Sequence, residues 1–509
     1  MKKILEGILE STSSLGGTAA FLNADEEKEK YLKEQEIIFL QACDKDSDSV
    51  LHGIKKSTVN KATELNEIIE IPDKSLKNAI KRVLEISESN SITKNDLLNL
   101  TKLVIINTDG QVSNLSGIEY AENLELVTFS NQRISDLSPI KKLYKLYSIG
   151  INGNPIIDFS PLYDLNITEL AVNNTSYSLE DLSQLKNKGK LTILHLDQLE
   201  LTNLDFLKET PNLKQFTSSY NHLKNINGLR YVTGLTYYAS MASEMTDISG
   251  LENLNELVSL NISGNQIKSI EPLTELTNLE QLSISYNQLY DLTPLSNSNN
   301  LKLLEFRNNE VSDITPLNNL SNIEVLVAHS NKIKDISILN KMPLLKKLSL
   351  SGNPLSNPIL LEKNENLEQL YISQIGLASD QAPSLPNLTF LEAEINELTN
   401  LKFLEKSTKL SELRLRVNHI SDISSLAKLT ELRVLYTQLQ NIELEDIHLG
   451  DSTSLVLKDL TGNLPTLDWK TEGTYKDDNI EWTNLGENKV SWTAHSKFFE
   501  GEIVQNVIK

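Results

Sequence analysis

The sequence predicts a solenoid of short parallel β-strands closed by a cap at each end, and three observations predict it. Three stretches align without a gap at an offset of 22 residues: LVSLNISGNQIKSIEPL at 257 to 273, LEQLSISYNQLYDLTPL at 279 to 295, and LKLLEFRNNEVSDITPL at 301 to 317. Walking that register both ways gives one key position per coil: Gly110, Gln132, Asn154, Thr175, Leu199, Asn221, Ser243, Asn265, Asn287, Asn309, Asn331, Asn353, Ile375, Asn396, Asn418 and Gln440. The fifteen intervals are all 21, 22 or 24 residues, and nine of the sixteen positions are Asn. The unit reads L-x-x-L-x-L-x-x-N-x-L, which is the leucine-rich repeat pattern.

Each position in the unit has its own physical reason. In Leu282-Ser283-Ile284 the alternation sends the apolar side chains inward and Ser outward, as a strand requires, and strands of successive coils stack in parallel. Asn287 sits where the chain turns in from the strand, and its amide can donate to and accept from backbone groups that water cannot reach. The nine Asn residues are therefore expected to form a structural ladder. Leu289 and Leu292 close the far side, while Asp291 and Thr293-Pro294 supply turn chemistry. A 22-residue unit is too short for a full helix there, so short 3₁₀ turns are expected on the convex side.

Both ends of a solenoid expose apolar surface and need caps. Residues 69 to 100 read as a small helical cap: Ile71-Pro72-Asp73 leads into Leu76, Ile80 and Leu84, and Thr93 starts a second helix. The repeats fill 101 to 440, about 16 coils. From 441 to 509 the beat stops, and Ile480, Trp482, Val490, Trp492 and the run from Phe499 to Val504 alternate as strands of a small β-sandwich.

Composition removes several classes of function. With 48 Lys and Arg against 69 Asp and Glu, the formal charge of −21 disfavours nucleic acid and anionic lipid as partners. One cysteine, Cys43, excludes a disulfide framework and a Cys-based zinc site, and no apolar run approaches the length of a membrane span. Residues 1 to 24 read either as a frayed amphipathic start or as a degenerate signal peptide: Met1-Lys2-Lys3 and Leu22-Asn23-Ala24 fit the ends of an export signal, but Glu6 and Glu10 interrupt its apolar stretch. Residues 25 to 68 are an acidic helical extension. Within it Asp44, Asp46 and Asp48 are spaced as in a calcium loop, yet the sixth position is Ser49 and the twelfth Lys55, so no metal is assigned.

The three parts and their order resemble the internalin family of Gram-positive bacteria. The resemblance rests on the IPDKSLKNAI cap, on coils carrying SDLSP, TDIS, SDITPL and SDIS, and on a GTYKDDNIEW tail similar to that family's immunoglobulin-like domain. It covers roughly residues 69 to 509. It implies a secreted or surface-attached protein that binds another protein with its concave face, often on a host cell; a monomer without cofactor is expected. GEIVQNVIK closes the sequence with no LPxTG-type motif, so free secretion is the family-consistent expectation. The acidic extension has no match in the family.

Residues two, four and six before each key position point outward and map the concave face. In the first coils these are small or polar: Thr128 and Ser130, Gly150 and Asn152, Ala171 and Asn173. Tyr237 and Met241 follow, with Tyr220 and Tyr286 next to the ladder, then Glu305, Arg307, Val327, His329, Tyr371, Phe390, Glu392, Glu394, Glu412, Arg414, Arg416 and Tyr436. Aromatic and Arg side chains are the usual anchors of protein interfaces. The expected partner-binding set is Tyr237, Tyr286, Arg307, His329, Tyr371, Phe390, Glu392, Glu394, Arg414, Arg416 and Tyr436, with pairing of Glu392 and Glu394 to Arg414 and Arg416 one coil on.

Catalysis is not expected. No nucleophile elbow, H-E-x-x-H, Walker or dinucleotide motif occurs. Glu392 and Glu394 share a face as glycosidase carboxylates do, but on an open ribbon with cationic neighbours. Two other readings stay open at this point: a protein binding the bacterium's own envelope or a glycan, and an intracellular, cytoplasmic scaffold.

Overall fold

The computed structural model describes residues 65 to 105, 110 to 494 and 498 to 509. The leader reading at 1 to 24, most of the acidic extension, Cys43 and the Asp44, Asp46, Asp48 turn lie outside those residues. The chain divides into two compact units, one ending at His195 and one beginning at Leu196.

In the first unit, helix α1 (Lys74–Val83) buries Leu76, Ala79 and Ile80. Asp73 caps it, accepting from the N–H groups of Ser75 and Leu76 at 2.9 and 3.0 Å. Its second carboxylate oxygen accepts from the N–H of Ser113 at 2.8 Å and of Asn114 at 3.2 Å, which ties the cap to the first coil. Thr93 opens α2 (Lys94–Leu98) with a reciprocal capping box to Asp96. Five parallel strands follow, Lys102–Ile105, Leu126–Phe129, Ser148–Gly150, Glu169–Ala171 and Ile193–His195, with Leu103, Val127, Ile149, Leu170 and Leu194 in register. Most coils return through 3₁₀ turns such as Ser138–Ile140 and Ser160–Leu162. The 24-residue interval from Thr175 to Leu199 holds, ahead of its 3₁₀ turn at Lys188–Lys190, one short α-helix, Leu179–Gln184, capped by Ser178 and Asp181.

In the second unit the strands run from Gln215–Thr217 to Glu412–Arg414, with Leu282, Leu304, Leu326, Leu348, Leu370, Leu391 and Leu413 in one register. The Asp-x-Ser/Thr turns behave as their chemistry requires: Asp291 accepts from the Thr293 N–H at 2.8 Å, and Asp313 from that of Thr315 at 2.8 Å. Two glycines mark where 3₁₀ turns of adjacent coils nearly touch. A Cβ at Gly228 or Gly250 would lie 2.0 Å from the carbonyl oxygen of Leu204 or Ile226.

The Asn side chains do the joining. Asn287 Nδ2 donates to the carbonyls of Ile284 and Ser285 in its own coil and of Ile262 in the coil before, at 3.1 to 3.2 Å. Its Oδ1 accepts from the N–H of Ile267, 20 residues earlier, at 3.0 Å. Asn265, Asn309, Asn331 and Asn418 repeat the pattern, and Asn154, Asn221, Asn353 and Asn396 bond likewise across coils. Gln440 substitutes with a longer side chain and Ser243 with a hydroxyl. The residue before the key position is left-handed in coil after coil, including Asn131, Tyr286, Ile395 and Val417, with φ of 53 to 55. β-Branched residues rarely adopt that conformation. They adopt it here because it aims the N–H at the next coil, as in Ile395 to the Arg416 carbonyl at 2.9 Å.

The last strand, Val434–His448, pairs with Glu412–Arg414 through Val434 to Tyr436 and from Thr437 onward with Phe499–Ile508. Solenoid and tail therefore share one continuous strand. Gly486–Ala494 and Thr466–Trp469 complete that tail sheet, and Ser452–Ser454, Asn479–Trp482 and Gly473–Lys476 form a second. Trp482 Nε1 donates to Gln505 Oε1 at 2.8 Å and Gln505 Nε2 to Thr453 Oγ1 at 2.6 Å, bridging the two sheets of this all-β, immunoglobulin-like domain.

Asn309→Ala strands the carbonyls of Ile284 and Phe306 and the N–H of Leu289 in a dry interior, so a loss of about 3 kcal/mol is expected. Urea unfolding of the variant checks it; a loss under about 1 kcal/mol would mean the ladder bonds contribute little.

Candidate functional site

Three-residue strands leave a narrow outward face with three columns of side chains, and register decides which side chains meet. In the second unit it places Tyr371 opposite Glu392, Glu392 opposite Arg414, and Arg414 opposite Tyr436 down the middle column. Lys347, Gln369, Phe390 and Glu412 line the column beside it.

These residues form one continuous array. Lys347 Nζ lies 5.6 Å from the centre of the Tyr371 ring, and the Tyr371 and Phe390 rings are 4.7 Å apart, tilted by 33°. The Arg414 guanidinium lies 5.5 Å from the Phe390 ring and 5.6 Å from that of Tyr436, and Arg416 lies 4.4 Å from Tyr436. Both arginine side chains remain 40% or more exposed, so their outer edges are open to a ligand.

The carboxylates orient the arginines. Arg414 contacts Glu412 Oε1 through Nη2 at 2.6 Å and Nε at 2.7 Å, and Glu392 Oε2 only at 3.7 Å. Arg416 Nε donates to Gln438 Oε1 at 3.1 Å and lies 4.0 Å from Glu394. The cross-coil pairs of Glu392 and Glu394 are thus present but long, and the short bonds go to Glu412 in the same strand and to Gln438. Burial, with Glu392 alongside, raises the Glu394 carboxyl above its ordinary value against the pull of both arginines. Exposed pairs of this kind stabilise by under about 1 kcal/mol. Their main effect is to hold the guanidinium planes against the rings.

A second, smaller group lies earlier in the same unit. The Arg307 guanidinium sits 5.0 Å from the Tyr286 ring, and Tyr286 is 40% exposed because its left-handed backbone turns it out beside Asn287. His329 Nδ1 lies 3.1 Å from Ser349 Oγ, and burial, helped by Arg307, pushes its pKa down to about 4. Tyr237 is half-buried on a strand two coils before Tyr286 and stands outside both groups. Lys347 and Gln438 were not expected in the site. They obey the same spacing, six before Asn353 and two before Gln440, so the map held the signal but Lys and Gln did not stand out as anchors.

In the first unit the outward residues are not open. Leu126, Thr128, Ser130, Ser148, Ala171 and His195 are each at most 2% exposed. These side chains are buried, so this part of the concave face presents few anchors. Burial pushes the pKa of His195 to about 4, which keeps the ring neutral.

No protein-family model matches the chain, and no curated protein matches it by sequence. Solved structures do. An internalin of Listeria monocytogenes, InlF, is 29% identical over 73% of this chain and 96% of its own, with a TM-score of 0.50. The functional domain of InlJ from the same organism, which includes a cysteine ladder, is 21% identical over 86% of this chain and 97% of its own, with a TM-score of 0.59. The leucine-rich repeat ectodomain of a plant receptor kinase from Arabidopsis thaliana, solved in complex with a Casparian strip integrity factor, is 19% identical. It covers 70% of this chain and 49% of its own, with a TM-score of 0.51, and like InlJ it speaks to the fold alone.

His329 is expected to titrate near pH 4 in the folded chain, followed by histidine ring NMR. Its folded pKa lies below its unfolded value, so its contribution to stability is complete above about pH 6.5 and is lost as the pH falls toward 4. A midpoint at or above 6 would show the ring to be open to water.

Proposed function

We propose, from the premise that this chain is an internalin-like leucine-rich repeat protein, that it is a non-enzymatic recognition module whose main contact surface runs from Arg307 to Tyr436 on the concave face. The observation that carries this reading is the unbroken array of Lys347, Tyr371, Phe390, Arg414, Tyr436 and Arg416. Nothing in the fold requires it, because the solenoid interior is closed by the Leu and Asn positions on the opposite side of each strand. Half-buried rings interleaved with guanidinium groups fit the composition of interface hot spots, with rigid apolar area and donors already oriented. An acidic or aromatic protein surface is the complementary partner: carboxylates for the open edges of Arg414 and Arg416, apolar side chains for Tyr371 and Phe390.

A host-cell surface protein as partner, and a secreted or surface location for the chain, are supported by the internalin likeness. Among the described residues no helix is long and apolar enough to cross a membrane. Folding and binding draw on different side chains, so the site can be altered without loss of the solenoid.

Affinity capture from host-cell surface proteins and, in parallel, from bacterial envelope extract tests the reading, with the full chain and its Tyr371→Ala, Arg414→Glu, Arg416→Glu variant. A host protein retained by the native chain and weakened at least about 30-fold by the variant, the size of a hot-spot loss, is the expected result. Retention only from the envelope extract would reject the host partner, and equal capture by both chains would reject the surface.

A further inference from the structure

The asparagine ladder is interrupted on both sides of Asn221, where the key positions are Leu199 and Ser243. Leu199 brings no side-chain amide, and Ser243 brings only a hydroxyl, which donates to the Ser218 carbonyl at 3.1 Å. A second inter-coil bond is missing in the same two coils. After Asn221, Asn265, Asn287, Asn309 and Asn331, the next residue donates its N–H to the coil before, as His222 does to the Leu201 carbonyl at 2.8 Å. Glu200 and Glu244, which follow Leu199 and Ser243, make no such bond among the described residues. Their backbones are left-handed instead, with φ of 58 and 64, a conformation uncommon for Glu.

His222 stands between these two carboxylates, one coil from each. Its Nε2 lies 2.9 Å from Glu200 Oε2 and its Nδ1 lies 3.0 Å from Glu244 Oε1. A neutral imidazole carries one N–H and one lone pair, so it can donate to only one of the two carboxylates and turns a lone pair toward the other. Only the imidazolium, with two N–H groups, donates to both. Glu244 from the coil after and Glu200 from the coil before are the charged groups that face the ring. Their hydrogen bonds, Glu244 first, raise the His222 pKa above its ordinary value against desolvation, and their charges add to the effect. The ring is about half-exposed, so it exchanges protons with solvent freely.

We propose that Glu200, His222 and Glu244 form a proton-dependent clamp that joins three consecutive coils where the asparagine ladder is broken. Protonation closes the clamp. Deprotonation opens it, because loss of one N–H leaves a ring lone pair facing a carboxylate at hydrogen-bond distance. The folded pKa lies above the unfolded value of about 6.5, so the clamp's contribution is complete below about pH 6.5. It is lost as the pH rises through the folded value. These coils are therefore joined more tightly in mildly acidic than in alkaline surroundings, the opposite sense to His329. This inference stands apart from the recognition surface at Arg307 to Tyr436 and does not depend on it.

Histidine ring NMR and amide hydrogen exchange on the full chain test the clamp, with the native chain compared to a Glu200→Gln, Glu244→Gln variant. Both side chains are exposed, and a Gln amide can pair with either nitrogen of a neutral ring, so the variant removes the charge and keeps the shape. The His222 midpoint is expected above about 6.5 in the native chain and at the ordinary value in the variant. The N–H groups of Leu201 and Met245, donated to Asn221 and Asn265 Oδ1, report on the clamped coils, with those of Val311 and Ile333 as reference. Relative to that reference, native protection at Leu201 and Met245 is expected to fall at least about 3-fold between about pH 6 and about pH 8.5, with no such fall in the variant. A native midpoint at or below about 6.5 would overturn the proposal, since the ring would then be neutral between its carboxylates. A raised midpoint with protection that tracks the reference at both pH values would overturn it too, as would the same fall in the variant, because the charge would then not hold the coils.

Discussion

The structure depends on a buried side-chain amide with nowhere to bond but the backbone. A solenoid coil turns its chain inward after each strand, and the turn leaves carbonyls and N–H groups that no strand partner can reach. Asn287 resolves this for its own coil and the one before it through two atoms, Nδ2 donating to Ile262, Ile284 and Ser285 and Oδ1 accepting from Ile267. Since each Asn bonds to the preceding coil, coil spacing and strand register are set together. A buried polar group left unpaired costs about 1 to 3 kcal/mol, so a slipped register would lose several bonds at every step.

Register in turn makes the outward columns meaningful. Tyr371, Glu392, Arg414 and Tyr436 meet because their coils are held at identical phase, although they are distant in sequence. The same ladder imposes the left-handed backbone that precedes each key residue, and at Tyr286 it turns an aromatic ring out toward Arg307. At Ile395 and Val417 it holds β-branched residues in a conformation that costs roughly 1 to 2 kcal/mol, which shows that the inter-coil bonds outweigh local preference. The continuous strand Val434–His448 passes this order directly into the terminal β-domain.

Much of this was legible in the letters because the interior obeys a period. Leu and Asn positions recur every 22 residues, Asp-x-Ser/Thr marks each turn, and Thr93 reads as a helix start from local chemistry alone. The left-handed positions were not legible, since Asn131, Tyr286, Ile395 and Val417 share no side-chain property; the ladder, not the residue, selects the conformation. The helix Leu179–Gln184 was hidden in an interval only two residues longer than the rest. For the candidate site, periodicity said which side chains face outward. It did not say that Arg414 would prefer Glu412 to Glu392, that Lys347 would join the array, or that His195 would be buried. Those outcomes depend on side-chain conformation and burial, which spacing does not set.

Native-state hydrogen exchange at the N–H groups of Ile267, Leu289, Val311 and Ile333, each donated to an Asn Oδ1, measures the ladder most directly. The account predicts that these four amides exchange only with the cooperative opening of the repeats, within about 10-fold of the neighbouring strand amides Leu282, Leu304 and Leu326. Exchange at the rate of exposed turn amides would contradict it, because the coils would then be held by apolar packing alone.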